Sequence, residues 1–134
     1  MRTKRDNQQW MLDLALNMRG RVQNFERDDP ETPTRAHNYR MLPKMWRKKA
    51  EHDEALAKTA EKNGFKMTAL EHYDHAVESY RMAQHPIYFD NNPVKIYLTN
   101  KLKEMVDRRS ALAPYPRERV EVQFDDGKTI SCLL

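Results

Sequence analysis

The sequence predicts a mainly α fold: an antiparallel helical bundle followed by a C-terminal β-hairpin. Three observations predict it. Apolar residues recur at steps of three and four along most of the first 112 positions. Proline, asparagine and glycine interrupt that pattern where helices start and stop well. From Arg119 onward the period changes from helical to alternating.

The first stripe is Trp10, Leu14, Met18, Val22 and Phe25, which predicts a helix over roughly residues 6–26 with Gly20 as its weak point. "RDDPETPT" then gathers acidic residues, threonine and two prolines into a loop. Pro33 and Pro43 each suit a first helical turn, predicting a short helix over 34–41 and a longer one over 43–62. The longer helix carries Met45, Lys49, Leu56 and Ala60 among many charges, and Asn63 and Gly64 stop it through a left-handed residue. Thr68 and Glu71 have the spacing of a capping box for the next helix, which Pro86 closes. Asn92 as N-cap and Pro93 behind it open a helix over 93–112, with Val94, Tyr97, Leu98, Leu102, Met105, Val106 and Leu112 at helical spacing. In the last segment Val120, Val122 and Phe124 alternate with polar residues, Asp126-Gly127 supplies a turn, and Ile130, Cys132 and Leu134 alternate again.

Composition narrows the function classes. A chain of 134 residues has room for one modest core, and 33% charged residues with a mean hydropathy of −0.99 require that much of it be solvated helix surface. The net charge of +4 comes from interspersed cations and anions, a mild bias toward anionic partners. Cys132 is the single cysteine, which excludes an intrachain disulfide and paired-cysteine zinc motifs and suits a reducing, cytoplasmic setting. "MRTKRDNQQW" turns polar where a signal peptide turns apolar, and no long apolar run suggests a membrane span, so neither export nor a membrane partner is expected.

The stretch "ALEHYDHAVESYRMAQHP" concentrates the residues that invite a chemical reading. Ala69, Tyr73, Ala76, Tyr80 and Ala83 share one face, where alanines let a neighbouring helix approach and tyrosine rings fill the gaps beside them. This predicts a packing seam against the helices of 43–62 and 93–112. His72 and His75 lie off the seam at i and i+3; a helical zinc site needs a third converging ligand, and none is evident, so exposed histidines are expected and no metal or cofactor is assigned. His85, Tyr88 and Phe89, at the end of that helix, suit either a cavity mouth or an apolar loop tucked under the domain. With Trp46 and Tyr80 they form the set of substrate-lining candidates. Arg47, Lys48 and Lys49 beside Trp46 resemble a nucleic-acid surface, but Glu51, Asp53 and Glu54 follow as i, i+4 partners, so a solvated helix is expected and no nucleic-acid partner. Serines 79, 110 and 131 and three scattered glycines build neither a nucleophile elbow nor a phosphate loop, and no catalytic residue is assigned.

Two resemblances extend this reading. Leu56, Ala57, Gly64, Ala69, Tyr73 and Ala76 fall close to the positions of one tetratricopeptide-type helix pair, without a second copy at the ~34-residue period. More broadly, residues 46–134 resemble the N-terminal helical region of a branch of α/β-hydrolases that includes 2,6-dihydropseudooxynicotine hydrolase, the fungal heptaketide hydrolyase and relatives of the fermentation–respiration switch protein. The alanine–tyrosine face and Glu118, Arg119, Val120, Glu121, Val122, Phe124, Gly127 and Thr129 carry the likeness, which departs from the family pattern at "ISCLL". The resemblance implies a helical cap over 1–116 and, over 117–134, a hairpin that begins an α/β-hydrolase sheet. It implies ester or carbon–carbon bond hydrolysis by a downstream serine triad, with that catalytic domain, a second copy in a homodimer and a small-molecule substrate as partners. The chain alone is then expected to be inactive. The alternative is a small tetratricopeptide-like interaction module. An apolar row ending on "CLL" without a charged tail further predicts the first strands of a larger sheet, and hence a fragment or truncated product that is poorly ordered after Pro116 or associates through this edge.

Overall fold

The computed structural model describes residues 11, 13, 14, 38–115 and 117–133. Met11, Asp13 and Leu14 are helical; the rest of the helix expected over 6–26, the loop after it and most of the short helix expected over 34–41 lie outside the described residues. The described end of that short helix is a single 3-10 turn, Tyr39–Met41, capped by the Asn38 side chain, which accepts from the Met41 N–H at 3.1 Å.

Helix α1 spans Leu42–Lys62, α2 spans Lys66–Gln84 and α3 spans Pro93–Leu112. Gly64, at φ +79°, ends α1 as expected: its N–H donates to the Glu61 carbonyl at 3.0 Å and the Phe65 N–H to that of Ala60 at 2.9 Å. Those two bonds satisfy carbonyls that a helix end otherwise leaves open. They also overturn the capping box. The chain turns so sharply at Gly64 that Phe65 is already the N-cap of α2, which leaves Thr68 and Glu71 inside the helix. Asn92 does cap α3, its Oδ1 accepting from the Val94 and Lys95 N–H groups. Ala113 is extended before Pro114 and ends it.

Helix directions follow from the residues that meet. Glu54 of α1 touches Tyr80 of α2, and Glu61, seven residues on, touches Tyr73, seven residues back, so the two run antiparallel. On α3 the partners advance with α1, Lys101 at Glu54 and Arg108 at Glu61. The result is an up-down-up bundle with α2 packed on both neighbours.

The core is the expected seam and what faces it. Ala69, Tyr73, Ala76, Tyr80 and Ala83 are fully buried, joined by Leu98 and Met105 of α3 and by Trp46, Ala50, Ala57 and Ala60 of α1. The α1 face is rotated from the one expected: Leu56 is exposed, and Asp53 and Glu54 are buried in its place. Small alanines bring α1 close to the tyrosine seam, and the carboxylates between them are drawn in to meet partners on α2 and α3. The i, i+4 pairs expected around the basic run do form, Arg47 with Glu51 at 2.7 Å and Lys49 with Asp53 at 3.8 Å.

Strands β1, Arg119–Phe124, and β2, Lys128–Leu133, pair antiparallel with Val120 opposite Cys132 and Val122 opposite Ile130. Asp126 and Gly127, both at positive φ, turn the chain. The hairpin packs chiefly on itself, and Arg119 ties it to α3 through Asp107 at 2.8 Å. Val122, Phe124 and Ile130 remain exposed on one face. Among the described residues no helix is long and apolar enough to cross a membrane.

Candidate functional site

Two clusters of polar side chains lie between the helices. In the first, a carboxylate on α1, a tyrosine on α2 and a cation on α3 meet, and the set repeats two turns along. Glu54 receives the Tyr80 hydroxyl at 2.5 Å on one oxygen and the Lys58 and Lys101 ammonium groups at 2.5 and 2.6 Å on the other. Glu61 receives the Tyr73 hydroxyl at 2.6 Å and lies 3.5 Å from the Arg108 guanidinium. Burial alone would raise the Glu54 carboxyl, but the hydrogen bonds from Lys101, Lys58 and Tyr80 outweigh it and hold it at about 2. Burial and then Glu54 push the Tyr80 phenol up, and burial with Glu61 pushes Tyr73 up to about 12. For Lys101, burial would lower the ammonium, but Glu54 and Glu104 reverse this and raise it.

These directions define the chemistry. Tyr80 and Tyr73 stay neutral donors and Lys101 stays charged, whereas a nucleophilic lysine needs a lowered value. The cluster is a three-helix clamp. Beside it lies an open depression of about 300 Å³ lined by Glu51, Glu54, Ala55, Lys58, Tyr97 and Lys101, with the Arg47 guanidinium 4.5 Å from the Tyr97 ring centre at its rim.

The second cluster joins α1 and α2 on another face. Asp53, His72 and His75 each present a ligand atom, and these atoms lie within 4.8 Å of one another. His72 Nδ1 is 3.6 Å from Asp53 Oδ1, and it is buried without a hydrogen-bond partner among the described residues. The His72 and His75 rings are edge-on at 6.1 Å.

The substrate-lining candidates separate into two groups. Trp46 and Tyr80 are buried in the core, and the Tyr80 hydroxyl is committed to Glu54. His85, Tyr88 and Phe89 are exposed on the turn between α2 and α3, where Tyr88 stacks on Tyr39 at 6.1 Å and the Tyr39 hydroxyl donates to the Pro86 carbonyl. The buried hydroxyls of Ser79 and Ser110 have no hydrogen-bond partner among the described residues. Sequence reasoning missed Asp53, Glu54 and Lys101. A signal was present: Glu54 and Glu61, Tyr73 and Tyr80, and Lys101 and Arg108 are each seven apart, so each pair shares a helix face. No family model, curated protein or solved structure matches the chain.

Proposed function

We propose that the chain is the helical cap of an α/β-hydrolase-type enzyme, packing beside a catalytic sheet that its hairpin joins, in the reducing cytoplasm that its single cysteine suits. Hydrolysis of an ester or carbon–carbon bond would come from a serine triad in that catalytic domain. The observation that carries the reading is the hairpin. Val122, Phe124 and Ile130 are 51%, 61% and 46% exposed on a two-stranded ribbon held to the helices by Arg119 and Asp107. A ribbon of this kind is marginal by itself and gains from joining a larger sheet. Tyr88 and Phe89, exposed at the end of α2, then close over the substrate, while buried Trp46 and Tyr80 hold the scaffold beneath them.

A photo-cross-linking residue at Phe124 tests this. The expected product, in cells, carries the label of a fluorophosphonate probe for active serine hydrolases. Cross-linked products without that label would overturn the reading. The depression beside Tyr97 favours a second reading, a tetratricopeptide-like module holding a peptide between α1 and α3; a cross-linker at Tyr97 that captures a short segment of another protein, with none captured at Phe124, would select it.

A further inference from the structure

We propose that Asp53, His72 and His75 form a binding site for one divalent transition-metal ion of the zinc class, with one carboxylate and two imidazole donors and the remaining position open to solvent. The site is independent of the cap reading and lies on another face from the Glu54 clamp.

The donor spacing carries the proposal. His72 Nδ1 and Asp53 Oδ1 face each other at 3.6 Å, beyond ordinary hydrogen-bonding range. Two donors each roughly 2.0–2.2 Å from a tetrahedral ion lie about 3.3–3.6 Å apart, so this gap is the one an ion would span. His72 Nδ1 is buried with no hydrogen-bond partner among the described residues, a cost that a metal bond would remove. His75 lies one turn along the same helix, its ligand atom within 4.8 Å of the others. That limit is wider than one ion allows, so exposed His75 would turn toward His72 and Asp53 to complete the set. Two nitrogen donors of three select zinc, cobalt or nickel over magnesium and calcium, which take oxygen.

Helix geometry explains why these three converge. His72 and His75, at i and i+3, leave α2 on one side, and Asp53 stands in the buried row of α1 opposite. An ion here would staple α1 to α2. Lys49 Nζ lies 3.8 Å from the other Asp53 oxygen, where it balances the carboxylate's charge and competes with a cation. Exposed His75 gives the ion its path in from solvent.

The alternative is an imidazolium–carboxylate pair between His72 and Asp53, in which His75 has no part. Calorimetric titration of the chelator-stripped full chain with Zn²⁺, and the visible absorption of the Co²⁺ form, separate the two. The expected result is one ion per chain, a tetrahedral Co²⁺ spectrum and a Zn²⁺-dependent rise in the unfolding midpoint. His75→Ala, an exposed change that leaves the fold intact, should weaken Zn²⁺ binding by more than the roughly 10–100-fold that loss of an outer-shell partner costs. Asp53→Asn should do the same, with its fold checked by circular dichroism, while His52→Gln and Cys132→Ser should bind as the parent does. Absence of binding, binding that survives His75→Ala, or binding lost equally in His52→Gln or Cys132→Ser would overturn the site.

Discussion

Replacing Glu54 by alanine removes the residue on which all three helices converge. Tyr80 is fully buried, so its hydroxyl loses an acceptor with no water to replace it, at about 1–3 kcal/mol. The Lys58 and Lys101 side chains are 41% and 23% exposed and can swing outward, so their ion pairs contribute near the exposed-pair range of about 0.2–1 kcal/mol each. The total expected loss is about 1.5–5 kcal/mol. With a urea slope of about 1–3 kcal/mol/M, the midpoint followed by tryptophan fluorescence should fall by on the order of 1–2 M. Glu54→Gln retains an acceptor for Tyr80 and should cost less. Pairing Glu54→Ala with Tyr80→Phe should be strongly non-additive, because each change orphans what the other removes. The pH dependence follows from the same contacts. Desolvation opposes ionisation of Glu54, yet bonds from Lys101, Lys58 and Tyr80 hold its carboxyl at about 2 against an ordinary 4.5. A carboxyl lowered on folding contributes stability that is full above the ordinary value and lost as pH falls through the folded one, so the loss should run from roughly pH 5 to pH 2 and be shallower in Glu54→Gln. A Glu54→Ala midpoint within error of the parent at neutral pH, or an unchanged acid profile in Glu54→Gln, would refute the clamp.

Ala76 has no exposed surface where α2 faces its neighbours, so Ala76→Leu should destabilise by ~1–3 kcal/mol through overpacking, read as a lower thermal midpoint. Asn92→Ala removes the acceptor for the Val94 and Lys95 N–H groups and should cost about 1 kcal/mol by urea denaturation. Gly64→Ala meets nothing within 4 Å, so its cost comes from the left-handed backbone alone; about 1–2 kcal/mol is expected by the same assay, with the α1–α2 turn losing amide protection first.

The sequence by itself determined the helices of α1 to α3, their punctuation at Gly64, Asn92 and Pro93, the alanine–tyrosine seam and the hairpin. Each is a local matter: the period of apolar residues, the backbone freedom of glycine, the missing N–H of proline. The seam was legible because alanine and tyrosine at steps of three and four are distinctive on any helix. What the tertiary structure alone decided was the rotation of α1. Its buried face of Trp46, Ala50, Ala57 and Ala60 is mostly small, so hydropathy set Met45 and Leu56 beside Ala60 in the expected stripe, and the close approach the alanines permit became visible only with α2 in place. That rotation buries Asp53 and Glu54, turning two apparently solvated acids into the centres of the clamp and of the histidine cluster. The Thr68 box failed for a related reason, since the Gly64 turn had already started the helix. A third ligand for His72 and His75 could not be read from α2 because it stands on another helix, nineteen residues before His72 in the chain and 3.6 Å away in space.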